Sequence, residues 1–106
     1  MQQISPTELK QRLEQEGPAP LLLDVREPIE FRYCNIEGSV SMPMEHIFLS
    51  QEDLDPEQEI VVICHHGMRS SQVANFLINR GFKNVSNLSG GVAAWAAEVE
   101  PSMPTY

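Results

Sequence analysis

The residues best suited to chemistry lie in one short run, Cys64-His65-His66-Gly67-Met68-Arg69, followed by Ser70 and Ser71. A cysteine acts as a nucleophile through its thiolate, and N–H-rich or cationic surroundings move it from about 8.5 to about 7.5 or below. Arg69, five positions on, supplies a fixed charge and a planar fork of donors suited to an oxyanion. Gly67 removes a side chain where a short loop must turn tightly. Backbone N–H groups of such a loop, running into a helix N-terminus, attract anions and stabilise a thiolate. The run therefore reads as an activated, exposed Cys64 facing an anion pocket. A buried structural cysteine at a strand end is the competing reading. His65 and His66 line the pocket mouth on this view, with solvent-exposed loop histidines as the equal alternative, and Met68 forms an apolar wall, with a gap-filler as the alternative. Ser70 and Ser71 are expected to cap the following helix. Adjacent histidines in a tight loop point apart, and no second Cys/His pair lies at zinc spacing, so no metal is assigned.

The elements that must position this loop are legible around it. "IVVIC" is an uninterrupted apolar strand ending in Cys64, and "LLLDV" is another. Runs without alternation suit parallel strands buried on both faces. "RSSQVANFLINRGF" is helical, with Val73, Ala74, Leu77 and Ile78 on one face and Gly81 as its stop. "SPTE" starts a helix, with Ser5 as N-cap, Pro6 at the first position and Glu8 closing a capping box. Leu9 and Leu13 give it a narrow apolar stripe, and "EGPAP" ends it. "REPIEFRYCNIEG" reads as a short helix and turn, and "SVSMPM" as a weak strand ended by Pro43. "EHIFLSQEDLDPEQE" reads as a short helix and loop, "NVSNL" as a strand, and "SGGVAAWAAEVE" as a closing helix around Trp95. Alternation of strands and helices predicts an α/β fold, with a mainly parallel sheet and helices on both faces. Ligands of such sheets sit beyond the carboxyl ends of the strands, where Cys64 falls.

A chain of 106 residues is long enough for one core, so residues 1–106 are expected to form a single domain. A hydrophobic fraction of 42% and a charged fraction of 21% are those of a globular protein. The net charge of -8 argues against nucleic acid and anionic membrane as partners, and it attracts no small anion from a distance. No apolar run approaches the ~20 residues of a membrane span, and "MQQISPTELK" does not read as a secretory signal. Two cysteines, Cys34 and Cys64, are too few for a disulfide framework, which points to a reducing, cytoplasmic setting.

"CHHGMRS" resembles the active-site loop of the rhodanese family of sulfurtransferases. "LLLDVREPIEF", "CNIEGSVSMPM" and "LSGGVAAWA" resemble further family motifs in the expected order, so the similarity covers nearly the whole chain. The resemblance implies a rhodanese-like fold with Cys64 as the catalytic nucleophile. Its thiolate would take a sulfane sulfur from a small donor such as thiosulfate, forming a persulfide. A thiol, cyanide or protein acceptor would then remove the outer sulfur, with no cofactor. His65, His66, Gly67, Met68 and Arg69 would bind the donor. Asp24 and Arg26 match paired positions near the pocket and are expected to form a structural ion pair, because buried charges need partners. Cys34 stands where the family motif often carries histidine; a structural role is the expectation, and a resolving thiol the alternative.

Other readings compete. A persulfide carrier serving a protein partner would keep the same cysteine. Cysteine-dependent phosphatases use Cys-x5-Arg, whereas this chain has Cys-x4-Arg with Ile63 before Cys64. They also need a general acid, and none is evident in the sequence. Rhodanese-like arsenate reductases are expected to prefer the longer loop as well. Non-catalytic rhodanese-like modules usually lack the cysteine. Relatives that use mercaptopyruvate carry small residues where this loop has His65 and Arg69. Glu27 and Glu30 read as solvated surface acids, Trp95 as a core anchor, and Met103 and Tyr106 as part of a tail that is either loose or docked.

Overall fold

The computed structural model describes every residue from Met1 to Tyr106. Five strands form one sheet: β1 (Gln2–Ile4), β2 (Leu21–Asp24), β3 (Val40–Ser41), β4 (Ile60–Ile63) and β5 (Val85–Leu88). Their order is β1-β5-β4-β2-β3, and every pairing is parallel. The helices are α1 (Pro6–Glu14), α2 (Pro28–Tyr33), α3 (Met44–Ser50), α4 (Met68–Asn79) and α5 (Gly91–Glu98), with a 3₁₀ turn at Gln51–Asp53.

The apolar run of β4 works as the unalternated pattern requires, with successive side chains entering opposite cores. Ile60, Val62 and Cys64 pack with Ile47 of α3 and Val73, Ala74 and Leu77 of α4. Val61 and Ile63 pack with Leu9 of α1 and Val92, Trp95 and Ala96 of α5. Helices therefore cover both faces. Ile78 is a correction: it is exposed, and Phe76 instead packs partly against the core.

Local signals start α1 and stop α4 where the sequence places them. Glu8 N–H donates to Ser5 Oγ, and Ser5 N–H donates to Glu8 Oε1, so the capping box forms. Gly81 follows α4 with φ 91°, the left-handed turn that a glycine stop provides. The start of α4 differs from expectation. Gly67 is its N-cap, and neither Ser70 nor Ser71 caps it. Both serines lie within the first turn, where Ser71 Oγ donates back to the Gly67 carbonyl at 2.8 Å. β1 has no sequence signal; it is a polar edge strand held by its ladder to β5.

β4 lies between β2 and β5. The chain runs outward from β2 to β3, then returns across β2 to build β4 and β5. The carboxyl ends of β2 and β4 thus flank a topological switch point, a place where parallel sheets leave a crevice. Cys64 follows β4 there.

Candidate active site

Cys64 is 1% exposed, which corrects the expectation of an exposed thiol. The sulfur lies on the α4 side of the sheet, among core side chains, and is held from two directions. Gly67 N–H donates to Sγ at 3.0 Å. Ser70 Oγ, in the first turn of α4, lies 3.2 Å from Sγ. Both contacts suit a negatively charged sulfur at a helix N-terminus. Solvent reaches the region through a cleft of about 280 Å³ lined by Cys64, His65, His66, Met68 and Arg69. Five of the six expected site residues thus share one cleft. Gly67, the sixth, is the buried turn and N–H donor beneath it. Met68 is 77% exposed at its rim.

Sequence reasoning did not single out Asn87, and it named Ser70 only as a helix cap. Ser70 Oγ donates to Asn87 Oδ1, and Asn87 Nδ2 donates to the Gly67 carbonyl at 3.3 Å and to Ser71 Oγ at 3.1 Å. Asn87 is a buried polar residue in a strand of otherwise mostly apolar residues, which was the available signal. A hydroxyl has one hydrogen. In the thiol form Cys64 can donate to Ser70 while Ser70 donates to Asn87. In the thiolate form the hydroxyl hydrogen can turn to the sulfur.

The start of α5 fixes the other wall. Val92 N–H donates to the Cys64 carbonyl at 2.9 Å, and Ala93 N–H to the His65 carbonyl at 3.1 Å. Gly91 has φ 60°, and a Cβ there would collide with those same two carbonyl oxygens. The glycine pair of "LSGGVAAWA" therefore lets the helix approach the loop closely enough to satisfy its carbonyls.

Arg69 is not a free cation. Its Nη1 and Nη2 donate to the two carboxylate oxygens of Glu30 at 2.7 and 3.0 Å. Glu30 is therefore not the solvated acid expected from sequence. It stands in the first turn of α2 and also accepts from Glu27 N–H at 3.0 Å and from Tyr106 Oη at 2.7 Å. The Arg69 fork, aided by Tyr106, holds its carboxyl down at about 2 against the cost of partial burial. Glu30 in turn raises Arg69, which also feels the Cys64 sulfur across the cleft.

The tail docks. Met103 is buried in the core beside Trp95, and the Tyr106 ring stacks on His65 with centroids 3.9 Å apart and planes 12° apart. Burial first, with Coulombic contributions from His66 and Arg69 and against the pull of Glu30, lowers the His65 pKa and favours the neutral ring. His66 is exposed, and its ring lies tilted against His65, so the two imidazoles do not point apart as the sequence suggested.

Asp24 and Arg26 form the expected ion pair, both fully buried, with Arg26 Nε and Nη2 donating to the Asp24 carboxylate. Burial opposes the Arg26 charge, but Asp24 and Tyr106 outweigh it and raise the pKa. Arg26 also donates to the Cys34 carbonyl at 2.7 Å and, more loosely, to Cys34 Sγ at 3.7 Å. Cys34 sits in the α1–α5 core and Cys64 in the α3–α4 core, and both thiols are free.

This arrangement matches known proteins. The rhodanese-like domain family model matches residues 5–98. A thiosulfate sulfurtransferase, GlpE, of Haemophilus influenzae is 30% identical, over 98% of this chain and 96% of its own. A sulfurtransferase of Allochromatium vinosum is 33% identical, over 89% and 87% of the two chains. The rhodanese-like/PpiC domain-containing protein 12 of Arabidopsis thaliana is 42% identical over 80% of this chain, which spans only 30% of that longer protein. The crystal structure of a rhodanese-related protein from Thermoplasma volcanium superposes with a TM-score of 0.85 at 30% identity, covering 95% of this chain and 96% of that one. The family model spans most of the chain, and the relatives and the superposed fold match it over nearly its whole length, so the chain belongs to the rhodanese-like family.

Proposed function

We propose that the protein is a thiosulfate-type sulfurtransferase with Cys64 as its nucleophile. The observation that carries this reading is the Cys64 sulfur at the N-terminus of α4, accepting the Gly67 N–H, in a residue that lines one cleft with Arg69. The Cys64 thiolate attacks the outer sulfur of thiosulfate. A new S–S bond forms, the old one breaks, and sulfite leaves with the bonding electron pair. Cyanide or a thiolate then attacks the outer persulfide sulfur, and Cys64 departs as thiolate, so no external oxidant or reductant is needed. The Gly67 N–H and Ser70 hydroxyl stabilise the sulfur anion at both ends of the cycle. His65, His66 and Met68 shape the donor's path, and Arg69 supplies its cationic wall. The proposed setting is cytoplasmic, where free thiols persist.

A specific observation favours a second reading, a persulfide carrier that serves a protein partner. Glu30 already satisfies the Arg69 fork, which reduces the charge offered to a dianion. The phosphatase reading is weaker, because Glu30 is held ionised at about 2 and is no proton donor near neutrality.

Thiocyanate release from thiosulfate and cyanide tests the proposal. Wild-type protein is expected to turn over, and Cys64→Ser is expected to be inert. Turnover with persulfide donors alone would select the carrier. Turnover surviving in Cys64→Ser would overturn both readings.

A further inference from the structure

Residues 99–106 lie beyond the match to the rhodanese-like family model, yet this segment stacks on His65, a residue that lines the cleft. Tyr106 meets three separate parts of the site. Its hydroxyl donates to Glu30 Oε2 at 2.7 Å and accepts from Arg26 Nη1 at 3.0 Å. Its ring covers one face of His65, and His66 lies against the same imidazole with centroids 3.9 Å apart. The segment is held by more than this residue. Met103 is buried, Tyr33 Oη donates to the Thr105 carbonyl at 3.2 Å, and the Tyr33 ring meets Tyr106 edge-on.

The consequence is a relay of contacts. Asp24 fixes Arg26, and Arg26 fixes the Tyr106 hydroxyl. Tyr106 fixes one oxygen of Glu30, and the two Glu30 oxygens hold the Arg69 fork at the cleft. Glu30 is therefore aimed by a residue far away in sequence, and it cannot rotate away from Arg69 without giving up the tyrosine. We propose that Tyr106 is a positioning residue, which orients Arg69 through Glu30 and His65 through ring stacking for donor binding at Cys64. This rests on the sulfurtransferase reading for its kinetic consequence but not for its structural one.

The test compares Tyr106→Phe, which keeps the ring and removes the hydroxyl, with wild type. NMR titration of the Glu30 carboxyl reads the link directly. In wild type it is expected to titrate at about 2, and loss of the tyrosine hydrogen bond is expected to move it upward. The Nη protons of Arg69 are expected to give separate signals in wild type and an averaged signal in Tyr106→Phe. Kinetically, Tyr106→Phe is expected to raise the thiosulfate KM about three- to tenfold with a much smaller change in kcat. Tyr106→Ala also removes the stack and is expected to raise KM further. A Tyr106→Phe variant with unchanged Glu30 titration and unchanged Arg69 signals overturns the proposal, as does a shifted titration with wild-type KM. If wild-type protein accepts no sulfur, the functional reading fails, while the Glu30 and Arg69 signals still decide whether Tyr106 positions them.

Discussion

At the scale of the residue, the site depends on charges whose partners come from distant sequence. Glu30 shows this most clearly, since its carboxylate is worth more to the folded chain than a surface acid would be. Its folded pKa of about 2 lies below the ordinary 4.5. A depressed carboxylate stabilises the fold fully above its unfolded value, and that contribution is lost as pH falls through the folded value. Wild-type protein is therefore expected to lose stability between about pH 4.5 and about 2 more steeply than Glu30→Gln, as read by urea unfolding across that range. Parallel curves for the two proteins would contradict the pairing. Cys64, Gly67 and Arg69 were legible because they sit in one loop whose chemistry is local. The partners were not, because Glu30 lies 39 positions from Arg69 and 76 from Tyr106. No local pattern in "REPIEF" separates a clamped glutamate from a solvated one. The burial of Cys64 was also hidden, since a strand-end cysteine gives the same sequence whether its sulfur points out or into the core.

At the scale of the element, the loop after β4 is shaped by its neighbours as much as by its own residues. Gly67 supplies a left-handed cap with φ 103° to α4, and Gly91 lets α5 approach the loop's carbonyls. Gly91→Ala combines a left-handed backbone with a collision against Cys64 and His65 carbonyl oxygens. It is expected to destabilise the fold by more than about 2 kcal/mol and to reduce activity with it. The denaturation midpoint checks this, and a wild-type midpoint would show that α5 need not approach so closely. Buried strands and capped helices were readable because apolar runs and caps are local signals. β1 was unreadable because it contributes backbone pairing to β5 rather than a buried face. Ser70 looked like a helix cap because serine caps helices often; α4 starts three residues earlier, at the Gly67 cap, and Ser70 meets Cys64 instead.

At the scale of the whole molecule, fold and field act differently on the site. The parallel sheet places Cys64 at a switch point; the strand pattern anticipated its place beyond a strand's carboxyl end but not the strand order. The net charge of -8 acts against a dianionic donor, and the Glu30–Arg69 pair leaves little local charge to offset it. Screening should therefore help rather than hinder capture. Raising ionic strength from about 10 to about 150 mM is expected to increase kcat/KM for thiosulfate about two- to fivefold. A fall over the same range would show that Arg69 dominates the field at the cleft.

The central claim is that the Cys64 sulfur carries the transferred atom, and intact mass spectrometry tests it most directly. Reduced protein mixed with thiosulfate is expected to gain the mass of one sulfur, to lose it on addition of cyanide, and to show no gain as Cys64→Ser. No gain with thiosulfate or any persulfide donor, or an equal gain in Cys64→Ser, would contradict the account.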